Sequence, residues 1–307
     1  MSAALILAQL LNGLQYGVLL FMLAAGLTLI FGIMSFVNLA HGAMYMFGAY
    51  FAATAYAHTG SFAAAVAAAI AGGVALGLVL ELTVASKLYR RDHLDHVLAT
   101  FGLVLFLNES ARMIWGSQPL FLPVPAAFSG TVDLLGTSYS VYRLVIISVG
   151  IAVAVGAHAL IRYTRLGMVI RAGSVNPQMV NALGVNIKKL NAILFCLGAG
   201  LAGLAGVMAA PILSVQVGMG EGMLIATLVV IVVGGIGSVN GALFAALIIG
   251  VVDTLGRAFL PMVLREMMSR DIATAAGPAL ASILVYVLMA LILAFRPEGL
   301  FPAARQA

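Results

Sequence analysis

The sequence predicts an all-α membrane protein, a polytopic bundle of roughly eight to ten transmembrane segments, some broken or re-entrant, with a short helix outside the bilayer. Three observations carry that prediction. Of the 307 residues, 63% are hydrophobic and only 8% are charged, whereas a soluble domain carries about 25% charged residues. Such a chain cannot cover a water-facing surface. The apolar runs are long and continuous rather than alternating, which excludes a β-barrel. Glycine and alanine are abundant, which suits helices packed closely in lipid. The chain 1–307 reads as one transmembrane domain.

A span needs roughly 20 apolar residues. Candidate runs lie at 5–31, 40–57, 62–86, 95–115, 140–161, 191–212, 222–236, 240–260 and 274–295. The first begins "MSAALILAQLLNGLQYG" and has no basic residue ahead of it; the first Lys or Arg is Lys87. It is expected to be a retained membrane helix, not a cleaved signal. Gln9, Asn12 and Tyr16 form a polar stripe at i, i+3, i+7 on this helix. In lipid such groups turn to a water-filled path or to hydrogen bonds with neighbouring helices, and both readings stay open. The segments 32–48 and 222–241 are rich in glycine and interrupted, so they are expected to be broken or re-entrant. Asn38 and His41 stand at the first interruption, "SFVNLAHG", where a helix start could leave free N–H groups beside a cavity. A structural role is the alternative for His41. Gly198, Ala202, Gly206 and Ala210 form a small-xxx-small ridge for close helix packing. Cys196, in the same run, is expected to be a small buried hydrophobe.

The net charge of +5 does not indicate a nucleic-acid partner. The basic residues cluster at the ends of apolar runs, where topology accounts for them. The loop 86–96 holds Lys87, Arg90 and Arg91. The segment 162–190 holds Arg162, Arg165, Arg171, Lys188 and Lys189, with no acid between Asp133 and Glu221. Both are predicted to be cytoplasmic. The loop 116–139 has no basic residue and is predicted to face outward. Arg296 and Arg305 then place the C-terminus inside, and alternation places the N-terminus outside. The loop 261–273 fits least well, since Arg265 and Arg270 fall outside, partly balanced by Glu266 and Asp271.

Catalytic chemistry is not written here. There is no G-x-x-x-x-G-K-[ST], and none of the three lysines follows a glycine, so this chain does not cradle ATP phosphates in that way. Ser238 in "GGIGSVNG" is not in a G-x-S-x-G context, and the five histidines lack ligand spacing. No catalytic, cofactor or metal site is expected. Transport energy would come from a partner ATPase or from an ion gradient. An ion-coupled carrier places ionisable groups at membrane depth, and Glu81, Glu109, Glu221 and Asp253 are the candidates. Glu109 with Arg112 (i, i+3) and Asp253 with Arg257 (i, i+4) are spaced to pair, which argues against ion coupling. A structural membrane scaffold is a third class, but it has no need of the segment that follows.

That segment is "RAGSVNPQMVNALGVN", residues 171–186. Asn176 is a favoured N-cap, and Pro177 at the first helical position loses no needed N–H. Gly184 is placed to take the left-handed C′ conformation, with Val185 touching Val180 as in a Schellman ending. A helix this short is not stable alone in water. Met179, Val180 and Leu183 share one face, and something must cover it: the bilayer surface, the rest of the chain, or another protein.

The pattern R-A-x-x-x-N-P-x-x-x-x-A-L-G-V-N resembles the cytoplasmic coupling segment of LivH-type permeases in the branched-chain (hydrophobic) amino-acid ABC importer family. "GLTLIFGIMSFVNLAHGAMYMFGAY" (26–50), "VVGGIGSVNGALFAALIIG" (232–250) and "FRPEGLF" (295–301) are similar to other stretches of that family. The resemblance implies a bacterial inner-membrane permease subunit, in contact with lipid and paired with a second, related permease subunit. Two cytoplasmic ATPase subunits would use ATP and Mg, a periplasmic binding protein would deliver substrate, and this chain would bind no cofactor. ATPase coupling would fall on Arg171, Asn176, Pro177, Met179, Val180, Leu183 and Gly184. The implied substrates are branched-chain or other hydrophobic amino acids, with urea, short amides or aromatic acids as the alternative.

Overall fold

In lipid a backbone satisfies itself as helix, and every apolar run of the chain folds that way. The computed structural model describes residues 3–34, 36–89, 91–134, 136–266 and 269–301. Arg90 and Arg305, which entered the sidedness reading, lie outside the described residues. In chain order come α1 (Ala3–Met34), α2 (His41–Thr59) and α3 (Phe62–Leu80). A π turn (Glu81–Ala85) extends α3 into α4 (Ser86–Leu88), followed by α5 (His93–Trp115). Strands β1 (Thr131–Leu134) and β2 (Thr137–Ser140) make a small antiparallel hairpin, with Thr131 opposite Ser140. Then follow α6 (Val141–Tyr163), α7 (Arg165–Val175), α8 (Pro177–Ala182) and α9 (Ile187–Ala209). The chain closes with α10 (Met219–Gly234), α11 (Val239–Leu264) and α12 (Arg270–Phe295). The hairpin and α7 are additions that hydropathy did not indicate.

Among the described residues, seven helices are long and apolar enough to cross a membrane. The other two apolar runs are α2 and α10. Helix α10 has 16 residues, about 24 Å of helix against a hydrocarbon core of about 30 Å. Helix α2 is less apolar because it meets protein instead of lipid: His41 through Tyr50 are all buried. The interruptions fall between helices, at 36–40 and at 235–238, and not within them.

Helices α1, α2 and α9 form the centre, while α5, α6 and α12 keep broad apolar faces exposed. Helix α9 sits against α1, α2 and α3 through its small residues. A Cβ at Gly206 would lie 2.2 Å from the Tyr45 carbonyl oxygen of α2, and one at Gly198 would lie 3.0 Å from the Gly26 carbonyl oxygen of α1. Ala202 and Ala210 are buried on the same helix face. A second ridge packs on α3, where a Cβ at Gly203 would stand 2.4 Å from the Ala69 carbonyl oxygen. Cys196 is only half-buried, not enclosed as its apolar surroundings in sequence suggested.

The segment after α12 folds back onto the end of α10. The Leu300 N–H donates to the Val233 carbonyl at 2.8 Å and the Phe301 N–H to the Gly234 carbonyl at 3.1 Å. These bonds satisfy carbonyls that a helix end leaves without intrahelical partners. Gly235 takes φ +101° there, and a Cβ on it would press on the Phe301 carbonyl oxygen at 2.9 Å.

Candidate functional site

The chain leaves the bundle after α6 and makes an elbow, α7 then α8, before α9. Thr164 starts α7: its Oγ1 accepts from the Gly167 N–H at 3.0 Å. Gly167 lies so close to the end of α6 that a Cβ would stand 2.2 Å from the Leu160 and Ile161 carbonyl oxygens. The Arg171 guanidinium donates to the Ile161 carbonyl oxygen, tying α7 back to α6. Ile170 packs with Ile33 of α1 and with Leu190 and Leu194 of α9 in a small apolar core separate from the main one.

Helix α8 begins and ends at its sequence signals. The Asn176 side-chain oxygen accepts from the Met179 N–H at 2.9 Å, and Pro177 occupies the first helical position. At the other end the Val185 N–H donates to the Val180 carbonyl at 3.3 Å and the Gly184 N–H to Asn181 at 3.0 Å. With Gly184 at φ +89°, this is a complete Schellman ending. Met179, Val180 and Leu183, the three apolar side chains singled out in this segment, border one cavity but differ in burial. Val180 is 5% exposed, while Met179 is 59% and Leu183 77% exposed. Leu183 is the C-cap, with φ −78° and ψ 8°, so the backbone leaves the helical path after it. Val180 is buried, while Met179 and Leu183, with Val175 beside them, are exposed, and all four border the same cavity.

Between this elbow, α1, α6 and the 237–240 break lies a cavity of 1070 Å³, bordered by Gly32, His158, Arg162, Arg171, Asn176 and Val180 among others. The elbow end also carries Lys87, Arg91, Arg165, Lys188, Lys189 and Arg296.

A second cavity, of 200 Å³, lies among α1, α10, α11 and α12 and opens to the outside of the bundle past the exposed Ile225 and Tyr286. Tyr16, Asp253, Arg257, Ser282 and Tyr286 supply its polar lining. Arg257 Nε donates to Asp253 Oδ2 at 2.8 Å, and its Nη2 donates to Ser282 Oγ at 2.9 Å.

The polar residues picked out in the sequence do not converge. Tyr16 borders the second cavity. Asn12 donates to the Gln9 side-chain oxygen at 3.2 Å and accepts from Arg143, away from both cavities. Asn38 and His41 are buried in packed protein, with His41 Nε2 3.2 Å from the Leu23 carbonyl oxygen. Neither borders a described cavity. Ser282 and Tyr286 were not legible as site residues, because their partners lie on helices remote in sequence. The acids have partners: Glu109 pairs with Arg112 at 2.9 Å, and Glu221 accepts from Asn108 at 2.8 Å. Glu81 faces the Tyr89 hydroxyl at 3.5 Å. Burial, and next the Glu81 charge, push the Tyr89 phenol above its ordinary range, so it stays a donor.

The sequence profile of the permease component of branched-chain amino acid transport systems matches residues 9–293. The chain belongs to this permease family. The permease is 31% identical to the high-affinity branched-chain amino acid transport system permease protein BraD of Pseudomonas aeruginosa, over 96% of this chain and 95% of that one. It is 27% identical to LivH of Escherichia coli, named for the same system, over 86% of this chain and 90% of the other. The probable branched-chain amino acid transport permease protein LivH of Methanocaldococcus jannaschii is also 27% identical, over 78% of each chain. No solved structure matches the permease. It is a multi-pass membrane protein and the transport component of its system.

Proposed function

We propose that this permease carries branched-chain or other hydrophobic amino acids across a bacterial inner membrane, driven by separate ATPase subunits that grip α8. One observation carries the coupling: a capped helix, with Val180 buried, that leaves Met179 and Leu183 exposed and uncovered by the rest of the chain. A face of that kind, on the most basic end of the molecule, suits a partner protein in the cytoplasm. The names of the relatives support the substrate class. Two ATPases using ATP and Mg, a second related permease and a periplasmic binding protein complete the importer. The permease itself binds no cofactor. Arg171, Asn176, Pro177 and Gly184 shape the handle, and force on it reaches α1 and α9 through the Ile33, Ile170, Leu190 and Leu194 core. Rigid movement of those helices opens the path to one side at a time.

The test is uptake of labelled leucine into vesicles holding the reconstituted importer with its binding protein. Uptake is expected to require ATP and the ATPases and to ignore a proton uncoupler. Uptake that persists without ATPases and collapses with the uncoupler would overturn the reading.

A further inference from the structure

We propose that the 200 Å³ cavity between α1, α10, α11 and α12 seats a zwitterionic amino acid during passage, with Asp253 facing its ammonium and Arg257 its carboxylate. The proposal rests on the amino-acid importer reading. Four features of the cavity support it.

First, the charges are a matched pair at depth. Asp253 stands about 21 Å along α11 from Val239 and about 16 Å from Leu264, within the bundle half nearer the hairpin. An uncompensated charge at such depth is costly, and charged residues there mark pathways or pairs. Second, the pair is not closed. Its hydrogen bonds use Nε and Nη2 on the arginine and Oδ2 on the aspartate. Among the described residues no other hydrogen bond is made by Arg257 Nη1 or Asp253 Oδ1, and both are assigned to the ligand. The Arg257 side chain is 48% exposed and that of Asp253 12%, and a half-exposed guanidinium in a spanning helix needs water, solute or protein beside it, not acyl chains. Third, the remaining wall is apolar: Ile225 and Val229 of α10, Ile249 of α11 and Val285 of α12. The volume is that of about seven waters, room for one aliphatic amino acid and little more. Fourth, Gly222 on the cavity wall is exposed and has open space before it: a Cβ there would meet nothing within 4 Å.

A zwitterion leaving water loses the hydration of both its charges. A preformed pair of opposite charges replaces that hydration on both ends at once, which an apolar path cannot do. Tyr16 and Tyr286 add hydroxyls at the same site.

The experiment uses the complete importer in vesicles and labelled leucine. The double variant Asp253→Asn/Arg257→Gln removes both charges together and leaves neither unpaired. It is expected to copurify with the ATPases as the wild type does and to lose at least ten-fold in uptake. Gly222→Leu adds a bulky side chain to the α10 wall of the cavity, at a position where a Cβ meets no atom within 4 Å, and is expected to lose uptake likewise, while Gly222→Ala keeps most of it. Wild-type uptake by the double variant would make the pair purely structural and overturn the seat, and so would wild-type uptake by Gly222→Leu. If the double variant fails to assemble, Gly222→Leu decides. A wild-type importer that moves no hydrophobic amino acid under ATP would instead overturn the parent reading.

Discussion

Leu183 and Val180 stand three positions apart on one short helix and differ in burial, so the same substitution should act differently at each. Leu183→Asp places a charge on an exposed side chain. It is expected to leave membrane insertion and the thermal midpoint of the purified permease unchanged and to abolish copurification with the ATPases, since the charge would be buried at the contact. Val180→Asp buries a charge against the permease's own bundle and is expected to lower that midpoint before any partner is added. Equal effects at the two positions would remove the assigned docking face. The caps at Asn176 and Gly184 were legible because capping is chemistry between near neighbours in the chain. The burial of Val180 was not, because only the elbow's return toward α1 decides which residue is covered.

At the scale of the element, hydropathy marked every membrane helix to within a few residues, for it reads the solvent directly. It could not mark α7, eleven residues long with two glycines, which holds its place by contact with α1, α6 and α9. Nor could it rank the glycines. Gly102 of α5 and Gly206 of α9 both lie in spanning helices, yet a Cβ at Gly102 meets nothing within 4 Å and one at Gly206 meets backbone at 2.2 Å. Gly→Ala in a helix otherwise gains roughly 0.5–1 kcal/mol. Gly102→Ala is therefore expected to hold or raise the thermal midpoint in detergent, and Gly206→Ala to lower it by forcing α9 away from α2. A neutral Gly206→Ala would show that the α2–α9 approach is loose.

For the whole molecule, the distribution of charge predicts which end faces the cytoplasm. After Cys196→Ala, a cysteine at Ser138 in the hairpin is expected to react with an impermeant thiol reagent on intact cells. One at Ser174 on the elbow is expected to react only after the membrane is opened. The reverse pattern would invert the permease. The bundle and the capped helix α8 were largely legible from composition and end signals. The second cavity was not: Asp253 and Arg257 were readable as a local pair, but their meeting with Tyr16, Ser282 and Tyr286 needs four helices brought together.

The hydrogen bonds from Leu300 and Phe301 to the end of α10 also bear on the order of assembly. Domains emerging from the ribosome begin to fold from the N-terminal side, but the carbonyls at the end of α10 lack their chain partners then. The Val233 and Gly234 carbonyls gain these chain partners only after α11 and α12 have been made and the residues after them have returned. The "VVGGIGSVNG" and "FRPEGLF" stretches, far apart in the chain, are therefore two halves of one clasp, and this corner of the permease is the last to set.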